Sequence, residues 1–204
     1  MEREFKNYEM LSAGKVLAIE SSTDASPIVV TITGHGFSTG DKVTVFGHET
    51  NVAANGSWVI TKVTDDTFSL NGSVGSGAGA GINTGITADF VEPILVKDWR
   101  HLIISIASDG GGTADATIKC VGSIKDTVPD FSAPRTVDNH FEFIQMIDKQ
   151  ASGSGLNGDT GVVFSGADDY RQFEVNTNGL NWLSFLPISG TAGQYTIKAL
   201  VLNP

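Results

Sequence analysis

Chemistry in this chain would have to come from four histidines, a single cysteine and several acidic turns. His35 sits in the turn Gly34-His35-Gly36, His48 follows Phe46-Gly47, and His101 and His140 stand near the starts of apolar runs. A zinc site needs histidines at set intervals on one element, as in His-Glu-x-x-His. No pair here has that spacing, so no metal ligands are assigned. Nucleophilic catalysis on a serine asks for a Gly-x-Ser-x-Gly elbow leading a helix. Gly75-Ser76-Gly77 and Gly153-Ser154-Gly155 have no helical pattern after them and read as loops, so no catalytic set is assigned. Asp65-Asp66, Asp168-Asp169 and Asp109 before three glycines lack the calcium-loop spacing. Adjacent aspartates in turns cap backbone N–H groups. A glycosidase pair must face across a cleft, which a linear sequence does not display. The glycine-rich run from Gly72 to Gly81 has neither the phosphate-loop nor the dinucleotide spacing, so no cofactor is expected. Cys120 lies in a β-branched stretch and reads as a small core residue; alone, it forms no internal disulfide.

Charge narrows the partners. The 204 residues carry a formal net charge of −10, with 5 basic and 10 acidic side chains in residues 1–90 and 8 and 13 in residues 91–204. Nucleic-acid backbones are held by clustered Lys and Arg, and anionic membranes attract the same groups. Neither partner is expected. The first nine residues lack the apolar core of a signal peptide, and no apolar run has the length of a membrane span.

The elements that must position these residues are strands. Hydrophobic residues make up 40% of the chain, and 24 glycines stand against 6 prolines, a balance that suits tight turns. Ile28-Val-Val-Thr-Ile-Thr33, Lys42-Val-Thr-Val-Phe46, Trp58-Val-Ile-Thr-Lys-Val63 and Thr67-Phe-Ser-Leu70 are short β runs, each bounded by turn residues. Asn55-Gly56 reads as a hairpin signal. Past the glycine-rich linker, residues 99–107, 114–124, 140–147, 161–165, 170–176, 181–187 and 194–202 are candidate strands, with clear apolar–polar alternation in 170–175 and 195–202. Seven strands in that length make a jelly-roll or immunoglobulin-like sandwich. The loop 128–134 is expected to cross between its sheets. The fold class is therefore all-β: a small antiparallel barrel at residues 16–85, a sandwich at 86–204, and an N-terminal arm at 1–15. In the arm, Phe5, Tyr8 and Leu11 recur at three-residue steps beside Met10. It is either a lid on this chain's own barrel or a contact to a neighbouring subunit, and these four side chains are the candidate partner contacts.

The run Gly34-His-Gly-Phe-Ser-Thr-Gly-Asp-Lys-Val-Thr-Val45, with Asn55-Gly-Ser-Trp58 and Asp65-Asp-Thr-Phe-Ser-Leu70, resembles a small β-barrel module of tailed-bacteriophage virion proteins. That module is itself similar to the first catalytic cysteine half-domain of ubiquitin-activating enzymes. The likeness covers about residues 28–70 and implies Phe37, Trp58 and Phe68 as core, with no ubiquitin chemistry. Gly122-Ser-Ile-Lys-Asp-Thr-Val-Pro-Asp-Phe131 and Asp168-Asp-Tyr-Arg-Gln-Phe-Glu-Val175 resemble, more distantly, sandwich modules of phage head and tail proteins.

The resemblance implies a non-enzymatic virion component: a capsid decoration protein, forming a homo-oligomer (a trimer first) that contacts the major capsid protein. The alternative is a tail or fibre part that binds a host-surface glycan, for which an exposed Trp99 or Trp182 would provide a stacking face.

Overall fold

The computed structural model describes residues 5–76, 81–82, 86–109, 114–133, 135–150, 155–166 and 169–202. Every paired strand among them is antiparallel. The fold is all-β. The chain opens with a long strand, β1 (Phe5–Ala18), and a run of shorter ones: β2 (Ser21–Ser22), β3 (Val29–Thr31), β4 (Lys42–Phe46), β5 (Gly56–Lys62), β6 (Thr67–Leu70), β7 (Gly81–Ile82) and β8 (Ile86–Asp89). They pair in the order β1-β8-β4-β5-β6-β3-β2-β7. The ladder does not close into a barrel among the described residues, yet it wraps one core, with Ile28, Val30, Val43, Ile60, Phe68 and Leu70 all fully buried.

The second module contains β9 (Ile94–Leu95), β10 (His101–Asp109), β11 (Ala114–Ser123), β12 (Glu142–Phe143), β13 (Met146–Asp148), β14 (Gly155–Leu156), β15 (Val162–Gly166), β16 (Asp169–Asn176), β17 (Trp182–Ala192) and β18 (Gln194–Leu202). One sheet runs β14-β13-β16-β10-β18-β1 and the other β12-β11-β17-β9, with β15 on β11 as well. Alternation puts Leu102, Ile104 and Ile106 of β10 inside, facing Ile118 and Cys120 of β11 and Phe185 of β17. Period-two burial along β10, with two antiparallel sheets packed on one shared core, is the signature of a sandwich.

The outer face of the second sheet is covered too. Val121 and Leu186 point away from the main core and meet Phe131 and Phe141 in a separate apolar cluster. Residues 128–133 therefore lie on that outer face rather than crossing between sheets.

The N-terminal segment differs from the expectation of a separate arm. Strand β1 pairs with β18 from Phe5 to Lys15 and with β8 from Val16 to Ala18, so residues 5–15 are an edge-to-core strand of the sandwich. The two modules accordingly share β1, and the sandwich is made from both ends of the chain, with the small module inserted between. The register slips between Glu9 and Leu11 and again between Leu11 and Gly14. Such bulges add residues to one strand and break its two-residue alternation. That is why the adjacent Met10 and Leu11 are both buried.

Candidate functional site

The histidines are the first test of chemistry. His35 is 1% exposed. Its Nδ1 accepts the Phe37 N–H at 2.9 Å, and its Nε2 lies 3.3 Å from the Thr64 carbonyl. A ring nitrogen that accepts carries no proton, so the proton is on Nε2 and is donated to that carbonyl. Gly34 and Gly36 have φ of +62° and +63°, the left-handed geometry glycine adopts freely. This turn folds the ring back against Phe37 and Phe68, with centroids at 5.6 and 5.0 Å.

His48 is a serine–histidine pair that spacing does not reveal. Its Nε2 lies 2.9 Å from Ser22 Oγ, 26 residues away. The Asn51 N–H donates to its Nδ1 at 3.1 Å. By the same logic Nε2 bears the proton and donates to the serine, the reverse of what a general base needs. Burial holds the imidazole below its ordinary value of 6.5. Asn55 clamps the His48 backbone from both sides, accepting its N–H at 2.8 Å and donating to its carbonyl at 2.9 Å. Asn55 itself is extended, following a 3₁₀ turn at Val52–Ala54. Asn55-Gly56 is therefore a side-chain clamp and not the turn of a hairpin. His101 and His140 are exposed and sit beside Glu174 and Glu142 at 3.3 and 3.5 Å.

Among the described residues no group of three or more His, Cys, Asp or Glu side chains is placed to hold a metal ion, and no helix is long and apolar enough to cross a membrane. Cys120 is fully buried and burial pushes its thiol up. Asp65 pairs with Lys62 at 2.7 Å and Asp66 caps the Gly34 N–H at 2.8 Å. Asp168, the glycines at 110–112 and residues 151–154 lie outside the described residues.

What remains is a trough at the joint between the modules. Three hollows of about 330, 400 and 540 Å³ adjoin one another along the connector from Asp89 to Trp99. The first lies between the outer face of β4 and β5 and the loop at Val128–Ser132. The second passes β1 at Glu9–Ser12, and the third ends at Tyr8 and Trp99. Phe90, Pro93, Val128 and Phe131 give it an apolar floor and wall, and Glu92 borders all three hollows. Volumes of this size are those of ordinary ligand sites.

The connector is pinned along its length. The Phe90 N–H donates to the Lys42 carbonyl at 3.1 Å, the Glu92 N–H to Met10 at 3.2 Å, and the Val96 N–H to Asn181 at 2.7 Å. Ser57 Oγ and Ser132 Oγ meet across the modules at 2.9 Å. The Lys42 ammonium stands 3.3 Å over the Phe90 ring. Asp89 accepts the Lys15 N–H at 2.7 Å. Burial pushes its carboxyl up, with the Asp41 charge adding to the effect and the Lys15 N–H and ammonium opposing it.

Of the four expected partner contacts, the structure places Met10 and Leu11 in the sandwich core at 3% and 8% exposure. Tyr8 is half-buried and lies against Trp99, ring centroids 5.6 Å apart. The Phe5 backbone is in β1; its side chain lies outside the described residues. Phe37 and Phe68 are core as expected. Trp58 and Trp182 are half-buried, the first donating from Nε1 to the Ala54 carbonyl at 2.7 Å. Sequence reasoning missed Lys42, Phe90, Glu92 and Phe131 as neighbours. They are distant in the chain and no motif links them.

No known protein family matches the sequence, and no curated protein matches it. Among solved structures the chain is similar to the SPBc2 prophage-derived protein YomS, at 16% identity and a TM-score of 0.38 over 55% of this chain and 79% of that one. It is also similar to the PBSX exported protein XepA, at 10% identity and a TM-score of 0.37 over 98% of this chain and 81% of that one.

Proposed function

We propose that this chain is a non-enzymatic structural protein of a tailed-phage particle: a capsid decoration protein that sits on the shell exterior and bridges neighbouring coat subunits. The observation that carries the reading is the joint. Strand β1 belongs to the sheets of both modules, and the connector is hydrogen-bonded to both, so the chain is a stiff two-lobed body with a preformed trough. Preorganised surfaces lose less conformational freedom on docking. His35 and His48, the histidines with buried partners, are occupied in holding turns. Copies would assemble as a closed cyclic homo-oligomer, a trimer first, so that several weak contacts to the shell act together.

A second reading is a tail or fibre component that binds a host-surface glycan. The half-buried Trp99 beside Tyr8 at one end of the trough favours it, since aromatic faces stack on sugar rings.

The test is uptake by particles. Phage assembled without this chain is separated into heads and tails, mixed with purified protein and sedimented. Saturable uptake by heads at a fixed stoichiometry is the expected result. Uptake by tails alone selects the second reading, and protein that stays in solution with both contradicts the virion assignment.

A further inference from the structure

The trough has a charge as well as a shape. Glu9, Asp89, Glu92, Asp98 and Asp130 line it, against Lys6 and Lys42. The Lys6 ammonium stands over Tyr8 at 4.7 Å and that of Lys42 over Phe90 at 3.3 Å, so both cations already have aromatic partners. Asp130 turns one oxygen to the Ser132 hydroxyl and N–H. Glu9 has Lys198 at 3.6 Å, a loose exposed pair. Asp89 is half-buried, and among the described residues only its Oδ2 is hydrogen-bonded. Between these carboxylates run Phe90, Pro93, Phe131 and Trp99.

We infer that the trough holds an extended, basic segment of a partner polypeptide, with its apolar side chains on the connector and its Lys or Arg groups on the acidic rim. The chemistry selects this occupant. Long cationic side chains bury an apolar stem while the head reaches a rim, which matches an apolar floor with carboxylates along its edge. An extended segment suits hollows that follow one another along the connector, and arginine satisfies a carboxylate with two parallel hydrogen bonds. Ionised Asp89 is disfavoured where it stands; a cation beside it would remove that penalty on binding. The inference rests on the proposed structural role only in taking the partner to be a protein.

The test uses the full chain and a fluorescein-labelled peptide of about ten residues repeating Arg-Leu-Arg-Pro, proline keeping it extended. Binding is followed by anisotropy, and its location by backbone amide NMR. The expected result is saturable binding with shifts at Phe90, Glu92 and Trp99. Asp89→Asn with Glu92→Gln should weaken it roughly tenfold while the melting temperature holds. Glu92→Lys, at an exposed position, should do the same alone. Asp65→Asn with Asp159→Asn, exposed carboxylates away from the trough, should leave it unchanged.

Equal loss in both sets of variants, equal binding of a Glu-for-Arg peptide, or shifts elsewhere would overturn the inference, since the whole chain is acidic. So would a neutral chito-oligosaccharide that shifts Trp99 where the peptide does not. Uptake by heads that is indifferent to the trough variants would sink this inference and leave the virion role standing. Peptide binding without uptake would do the reverse.

Discussion

The two modules reach a folded core by different means. The sandwich has the larger apolar core: three consecutive inward positions of β10 are Leu102, Ile104 and Ile106, all fully buried, and Phe164, Phe173, Phe185 and Tyr195 pack into the same cluster, so layered strands supply enough apolar area without help. The small module has fewer and shorter strands. It fills its interior with Phe37 and Phe68 and closes its turns with His35, His48, Asn51 and Asn55. Where strands are too short to specify turns by pairing, side-chain hydrogen bonds to backbone do it instead. A buried polar network is strong only while every member is satisfied, so the small module should be the part that responds to protonation, and the sandwich the part that responds to lost volume.

The comparison breaks most sharply in the sandwich core. Phe173→Ala should cost about 4 kcal/mol. Because β1 is shared, the loss should lower one common transition seen by both tryptophan fluorescence and far-UV circular dichroism. Two separate transitions would show that the modules unfold independently. Next is the sandwich's own buried charge. Asp148, 1% exposed, pairs with Arg171 of the neighbouring strand and accepts the Gln150 N–H at 2.8 Å. Arg171→Ala leaves a buried carboxylate without its cation, and about 3 kcal/mol should be lost in urea unfolding. If Arg171→Ala instead costs nothing, the pair is not a structural element.

His48→Ala orphans the Asn51 N–H and should cost about 2 kcal/mol at pH 7.5. The pH dependence sharpens the point. The folded state holds His48 below its ordinary 6.5, so the unfolded chain binds more protons in the window below 6.5. Stability should be full above that value and decline as pH falls through the window until the folded-state value is passed. In His48→Ala the part of the slope due to this residue should disappear, which a series of melts from pH 7.5 to 5 would read.

The smallest effect has the opposite sign. Tyr195 is 1% exposed, its hydroxyl lacks a hydrogen-bond partner among the described residues, and burial pushes its pKa up to about 12, with the Asp115 charge adding. Tyr195→Phe should leave the Phe164 edge contact and raise stability by up to about 1 kcal/mol. A loss of stability would mean that the hydroxyl has a partner after all.

Much of this architecture is written locally. The sandwich strands at 101–109, 114–123, 169–176 and 194–202 lie close to where the sequence places them; 169–176 and 194–202 also alternate clearly, because one face of each meets the core and the other is more exposed. Strand β1 is not legible, since its two bulges erase the period that would announce it. Strands β8 and β9 are short and set in a connector without turn signals at both ends, so pairing with distant partners defines them. The trough is the least legible feature of all. Lys42, Phe90 and Phe131 meet only after the small module folds against the sandwich, and nothing in their spacing encodes that. The Ser22–His48 pair is hidden for the same reason.

The central claim is that the joint, and not the buried histidines, is the working surface of this protein. It is tested most directly by titrating heads that lack the chain with three folded proteins at pH 7.5: wild type, Glu92→Lys, and His48→Ala. The account predicts saturable uptake of wild type and His48→Ala at equal affinity, with Glu92→Lys weakened roughly tenfold. Uptake that survives Glu92→Lys but fails in His48→Ala would contradict it.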